Sequence, residues 1–180
     1  MAALRGVVIR RLAPGDAEAL VAFYNGLSAA SKRTFRPLDV MTSVETCTGI
    51  VRANTQTVPT KYDLVGVDGA RIVGWSFLWD LATTPDVVGS HGDGEASGEL
   101  APTFGLAVAD AYQGQGLGSA LMSRVMAWSR DAAISAILLT VVQDNSVAWR
   151  LYERAGFVRT GEFVGDDGLP YYRMRAQLTS

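Results

Sequence analysis

Apolar residues along this chain change their spacing repeatedly, and each change marks an element. Val7-Val-Ile-Arg-Arg-Leu12 reads as a first strand, and Pro14-Gly-Asp16 turns it into a helix with Asp16 as its cap. Leu20, Phe23, Tyr24 and Leu27 form the apolar stripe of that helix. Residues 28–39 hold a second short helix broken near Pro37, and residues 40–55 read as helical with few clear caps. Two β-prone runs, 62–68 and 71–79, flank Asp68-Gly69, a dipeptide that favours a hairpin turn. Residues 82–97 contain Pro85 and glycines 89, 92 and 94, and read as a long polar loop.

The second half is more regular. Phe104-Gly-Leu-Ala-Val-Ala109 suits a buried strand, and from Leu117 the apolar residues Leu117, Leu121, Val125 and Trp128 recur at helical steps. Residues 136–142 form another apolar strand. Asn145 or Ser146 can cap the helix that follows, and Gly156 can end it. Runs 159–164 and 171–178 are strands around the polar turn 165–168. The order is β-α-α-β-β-β-α-β-α-β-β. It predicts an α/β (α+β layered) domain whose mixed, mostly antiparallel central sheet is flanked by helices, with no linker or repeat dividing residues 1–180.

Between the strand at 104–109 and its helix stands Gln113-Gly-Gln-Gly-Leu-Gly-Ser119. A glycine-rich turn opening a helix leaves main-chain N–H groups without intrahelical partners, and the helix dipole favours an anion there. Glycines 114, 116 and 118 remove the side chains that would hold a pyrophosphate away. A Walker loop requires a lysine beside its last glycine, and none stands near Gly118. A dinucleotide fingerprint fits Gly114 and Gly116 but meets Ser119 at its third glycine, and the next strand carries no acid until Asp144. The remaining pattern is Gln/Arg-x-x-Gly-x-Gly/Ala, filled by Gln113, Gly116 and Gly118.

That loop resembles the one in the GCN5-related N-acetyltransferase (GNAT) superfamily. A second block, Asn145 to Phe157, is similar to the superfamily segment Asn-x-x-Ala-x-x-Leu-Tyr-x-x-x-Gly-Phe at Asn145, Ala148, Leu151, Tyr152, Gly156 and Phe157. The resemblance covers residues 64–178 well and the N-terminal third in outline. It implies a single N-acetyltransferase domain that moves an acetyl group from acetyl-CoA to a primary amine by direct attack in a ternary complex. It further implies that Gln113, Gly114, Gln115, Gly116, Leu117, Gly118 and Ser119 hold the pyrophosphate. Leu106, Ala107 and Val108 would pair with the pantetheine arm as an added strand does, and Asn145 would bond to that arm. The Val108 N–H would face the acetyl carbonyl as oxyanion donor. Tyr152 would protonate the departing thiolate beside the bound cofactor. Many members carry a glutamate as base in the fourth strand or at the end of the third; here that strand has no acid, leaving Glu99, Asp80 or an ordered water.

Bulk properties narrow the partners. A net charge of −2 and 48% apolar content over 180 residues give no footprint for nucleic acid or an anionic membrane. No stretch approaches the roughly 20 apolar residues of a spanning helix, and one cysteine, Cys47, fits a reducing compartment, with the cytoplasm as default. One His (His91, in the 82–97 loop) and one Cys far apart do not make a metal site. The resemblance implies a small-molecule or peptide amine as acceptor. Tyr24, Phe35, Arg36, Trp79, Tyr171 and Tyr172 are candidates to line its pocket, and acidic loop residues favour a cationic amine. Monomer and homodimer both fit, the latter through an edge strand at the C-terminus. A non-catalytic acyl-CoA-binding module of the same fold is the alternative reading, and an NAD-type oxidoreductase a third.

Overall fold

The computed structural model describes residues 6–81 and 101–178. Strand β1 (Val7–Arg11) leads into helices α1 (Ala17–Gly26), α2 (Ala29–Thr34) and α3 (Val44–Thr55). Strands β2 (Lys61–Asp68), β3 (Arg71–Trp79) and β4 (Thr103–Val108) follow. A 3-10 turn at Asp110–Tyr112 then leads to α4 (Leu117–Asp131), β5 (Ala136–Val142), α5 (Ser146–Arg154), β6 (Phe157–Val164) and β7 (Pro170–Gln177).

Three helices, not two, fill the first crossover. Residues 40–55 lack obvious caps in sequence, yet Ser43 accepts the Thr46 N–H through its hydroxyl and starts α3 afresh. Pro37 stands just beyond α2, which is only six residues long. Asp16 occupies the N-cap position of α1 without capping it. Its own backbone is already helical (φ −81°, ψ −6°), so its carboxylate turns back to Ala13 N–H at 2.8 Å and to Arg10 at 2.6 Å.

The seven strands form one sheet in the order β1-β2-β3-β4-β5-β7-β6, antiparallel at every junction except β4–β5. β7 runs inside the sheet between β5 and β6, so the C-terminal edge belongs to β6 and not to the last strand. Alternate strand residues serve opposite faces. Val65, Trp75 and Phe77 pack beneath α1 and α3 with Leu20, Phe23 and Cys47. Leu64, Leu78 and Phe104 pack beneath α4 and α5 with Leu121, Val125 and Tyr152. Trp128 on α4 stacks on Tyr62 at 3.7 Å, which completes the apolar stripe expected of that helix. Among the described residues no helix is long and apolar enough to cross a membrane.

Candidate active site

Two glycines on neighbouring strands set where α4 begins. Gly66 and Gly74 face each other across β2 and β3, and Leu117 rests on both. A Cβ on Gly74 would stand 2.9 Å from Leu117 Cδ2 and 3.0 Å from Leu121 Cδ1. The bare backbone therefore lets the first turn of α4 lie flush on the sheet. Just before it, Gly114 (φ 71°) and Gly116 (φ 89°) adopt left-handed conformations, and the Gly116 carbonyl accepts the Ala120 N–H at 3.0 Å. The N–H groups of Leu117, Gly118 and Ser119 precede the first intrahelical bond and have no i−4 partner in the helix. Side chains of the loop are tied to nearby carbonyls: Gln115 donates to Ala111 O at 2.8 Å and Gln113 to Val108 O at 3.0 Å. Gln113 thus braces the loop against β4. Asp110 receives Ser28 and Ser31 hydroxyls at 2.9 and 2.8 Å, which ties α2 to the same loop. Those donors hold the Asp110 carboxyl below the usual range.

Beside this mouth β4 and β5 part. They share only the register pair Thr103–Leu138, with Leu138 N–H donating to Pro102 O at 3.0 Å. On the other side β4 pairs with β3 along its whole length, and Ala109 N–H donates to Val73 O. Main-chain groups alternate in direction along an antiparallel strand. Those of Leu106 and Val108 consequently point away from β3, into the gap that β5 has left, whereas those of Ala107 face β3. The expectation that all three residues present an open edge is corrected to Leu106 and Val108.

Helix α5 closes the far side of the gap. Asn145 caps it, its Oδ1 accepting Ala148 N–H at 3.3 Å. Leu151 comes close to Gly118, within 3.8 Å of where a Cβ would stand. Tyr152 is buried, edge-on to Phe104 at 5.9 Å and tilted against Phe157 at 6.0 Å. Burial alone pushes its phenol well above the ordinary value. At neutral pH it is a protonated donor.

On the opposite face of the sheet lies a cavity of about 560 Å³. Phe77 and Trp79, stacked at 4.1 Å, form one wall; Phe163 and Tyr171, stacked at 5.1 Å, form another. Gly105 is required here, because the Phe77 ring lies over it at 2.2 Å from any added Cβ. Two ion pairs cross the rim: Arg33 to Asp144 and Arg36 to Asp167, each at 2.7 Å. Tyr171 also donates to Asp167 at 2.7 Å, and burial together with that carboxylate pushes its phenol up to about 12. Phe35, Arg36, Trp79 and Tyr171 line the cavity as expected. Tyr24 does not; it is fully buried and its hydroxyl donates to the carbonyls of Leu38 and Asp39. Nor does Tyr172, whose odd register on β7 turns it to the other face, against Trp149 and Arg159.

Of the candidate bases, Glu99 lies outside the described residues, as do His91 and the whole 82–97 loop. Asp80 follows β3 in a left-handed conformation (φ 66°) and is not part of the cavity wall. Phe77, Phe163 and Thr140 also line the cavity; in sequence the two phenylalanines read as core and Thr140 as an exposed strand position. Sequence reasoning missed Asp63, a carboxyl buried under the two tryptophans of β3. Its aspartate at an interior strand position, against the apolar pattern, was the available signal. Among the described residues no three His, Cys, Asp or Glu side chains gather as a metal site would need.

Comparison with known proteins agrees with this geometry. Residues 44–157 match the Acetyltransferase (GNAT) family. Mycothiol acetyltransferase of Pseudarthrobacter chlorophenolicus is 36% identical over 97 residues, 53% of this chain and 27% of that protein. Its counterpart in Corynebacterium glutamicum is 33% identical over 81 residues, 45% of this chain and 27% of that protein. The aligned part thus spans about a quarter of these curated relatives. In fold, the chain is similar to the yncA protein of Salmonella typhimurium, solved with its cofactor acetyl-CoA (TM-score 0.75, 20% identity, 97% of this chain and 95% of that one). It is also similar to spermidine N-acetyltransferase of Vibrio cholerae in complex with CoA and spermine (TM-score 0.71, 18% identity, 96% of each chain).

Proposed function

This chain belongs to the Acetyltransferase (GNAT) family, and from that premise we propose that it transfers acetyl from acetyl-CoA to a primary amine in a ternary complex. The carrying observation is the gap between β4 and β5 with the glycine-lined mouth of α4 at its end. The mouth offers main-chain N–H groups without intrahelical partners, and β4 turns the main-chain groups of Leu106 and Val108 away from β3 (Val108 O being taken by Gln113), which suits a ligand carrying amides and a pyrophosphate.

In this reading Gln113 to Ser119 hold the pyrophosphate. Main-chain N–H groups of the loop and first helical turn donate, while Gln113 keeps the loop in place through Val108 O. The β4 edge at Leu106 and Val108 pairs with the pantetheine amides. Val108 N–H, aimed into the gap, donates to the thioester oxygen as negative charge develops there. Tyr152 passes its proton to the departing sulfur and can be re-protonated from solvent at neutral pH. Asn145 uses one Oδ1 lone pair on the α5 cap, which leaves its amide N–H groups and the second lone pair for the cofactor arm.

The amine enters from the aromatic cavity on the other face of β4. Apolar walls disfavour a charged ammonium, and so favour the neutral amine that attacks. Asp166, exposed at the rim, attracts the cationic form before it enters. The proton lost on attack leaves through water, or through Glu99 if that residue reaches the cavity.

Calorimetric titration with acetyl-CoA, followed by thiol release assays over polyamines, aminoglycosides, amino acids and peptides, tests the proposal. Binding with thiol release dependent on one amine class supports it. Binding without release for any amine leaves the alternative, an acyl-CoA-binding module. No binding at all removes both.

A further inference from the structure

The wall of the amine cavity is supported by a group that the transfer chemistry does not use. Asp63 on β2 is 0% exposed. Its Oδ1 accepts the indole N–H of Trp75 at 2.8 Å and that of Trp79 at 3.3 Å. Among the described residues its Oδ2 has no hydrogen-bond partner. The register produces this contact: Lys61 opposes Trp79 and Val65 opposes Trp75, so Asp63 stands diagonally between the two indoles. Lys61 adds its ammonium 3.4 Å from the Trp79 ring centroid.

A buried carboxyl with an unsatisfied oxygen is costly, and an apolar residue at the same place would cost less. The main chain does not depend on it either. Asp63 N–H donates to Asn54 Oδ1 at 2.9 Å, and Asp63 O accepts Leu12 N–H at 3.0 Å, whatever the side chain. What the carboxyl adds is one acceptor shared by both indole N–H groups. Trp79 is the one that lines the cavity, stacked on Phe77.

We infer that Asp63 is a positioning residue for the amine acceptor: it orients the Trp79 indole against which the acceptor docks. The inference rests on the reading of the aromatic cavity as the acceptor site. Asp63 touches neither substrate, and the cofactor gap lies beyond β3 on the far side of β4.

Two variants test it. Asp63→Asn keeps an oxygen that can accept both indole N–H groups; Asp63→Val removes it at similar volume. The Val variant is expected to raise the amine KM roughly five-fold or more, with the acetyl-CoA KM within about two-fold, and the Asn variant to restore the amine KM. An unchanged amine KM in the Val variant, or equal rises in both KM values, overturns the inference. A readout without turnover accompanies these. In the wild-type protein, both indole N–H resonances should shift together with one midpoint as pH crosses the range where Asp63 ionises. Lys61 on the same strand, Arg11 on β1 and Asp80 after β3 are the other charged groups in its surroundings. Resonances that move independently, or not at all, overturn the inference even if the Val variant fails to fold. If no amine is acetylated while the paired shift is seen, the transferase reading fails and the Asp63–Trp79 coupling stands; the Trp79 resonance is then expected to respond to added amine.

Discussion

The guanidinium of Arg36 meets the carboxylate of Asp167 at 2.7 Å, joining residues 131 positions apart across the rim of the aromatic cavity. Arg36 follows α2, and Asp167 sits in the turn between β6 and β7. The pair therefore ties the two segments that border the entrance to that cavity. It is partly exposed, so its value to global stability is small, about 0–1 kcal/mol. Its effect belongs to the geometry of the entrance. Arg36→Ala is expected to raise the amine KM several-fold, with the acetyl-CoA KM unchanged and Tm lowered by no more than about 4 °C. Bisubstrate kinetics and a thermal melt check this, and a larger loss of Tm would make the pair structural instead.

Gly74 supports the first turn of α4 from beneath. Valine there would press on Leu117 and Leu121, whose tips stand about 3 Å from the new Cβ. Overpacking of this kind typically costs about 1–3 kcal/mol. Because the strain falls on the first turn of α4, Gly74→Val should also weaken acetyl-CoA binding. Denaturation and calorimetry on the same sample read both effects; stability loss with unchanged affinity would separate the mouth of α4 from cofactor binding.

Tyr152→Phe isolates a hydroxyl. The ring keeps its contacts with Phe104 and Phe157, so Tm and acetyl-CoA affinity should stay close to wild type. A lost general acid typically lowers kcat by roughly 100-fold or more. Burial holds the phenol far above neutrality, so the wild-type enzyme should not lose this acid as pH rises to 9. Undiminished kcat in the variant would remove Tyr152 from the chemistry.

Asp63 gives the fold a pH dependence of definite sign. Burial raises its carboxyl from 3.8 to about 7, outweighing the indole bonds that lower it. Between these values the folded chain holds a proton that the unfolded chain has released. Its contribution to stability is therefore fully present below about 3.8 and is lost as pH rises towards 7. Asp63→Asn should flatten this trend and gain on the wild type at pH 8 relative to pH 5. Melting curves at the two values decide; parallel behaviour would place the ionisation elsewhere.

Most of the fold was legible because its signals are local. The strand at 136–142 was read with the bounds of β5, the Asp68-Gly69 hairpin closes β2 on β3, and Gly156 ends the turn after α5 with a φ of 97°. Those features depend on neighbours in the chain. The loop 113–119 belongs with them, since backbone freedom at glycine and a helix start are properties of a few consecutive residues. Where the signal is local but ambiguous, the structure differs: Asp16 has the chemistry of a cap and uses it on Arg10 and Ala13, and Ser43 caps a helix whose start the sequence marks poorly.

Sequence by itself thus determined the order of elements, the anion-seeking mouth of α4 and the two blocks that carry the family. Tertiary structure decided which residues share the aromatic cavity, because Arg36 and Asp167 meet only once the sheet is assembled, as Gly66, Gly74 and Leu117 do on the other face. It decided the gap between β4 and β5 as well, for strand divergence arises from how whole strands pack and pair. Asp63 marks the boundary most clearly: its type is visible in the chain, but its oxygen acquires two indole partners only through the register of β2 on β3.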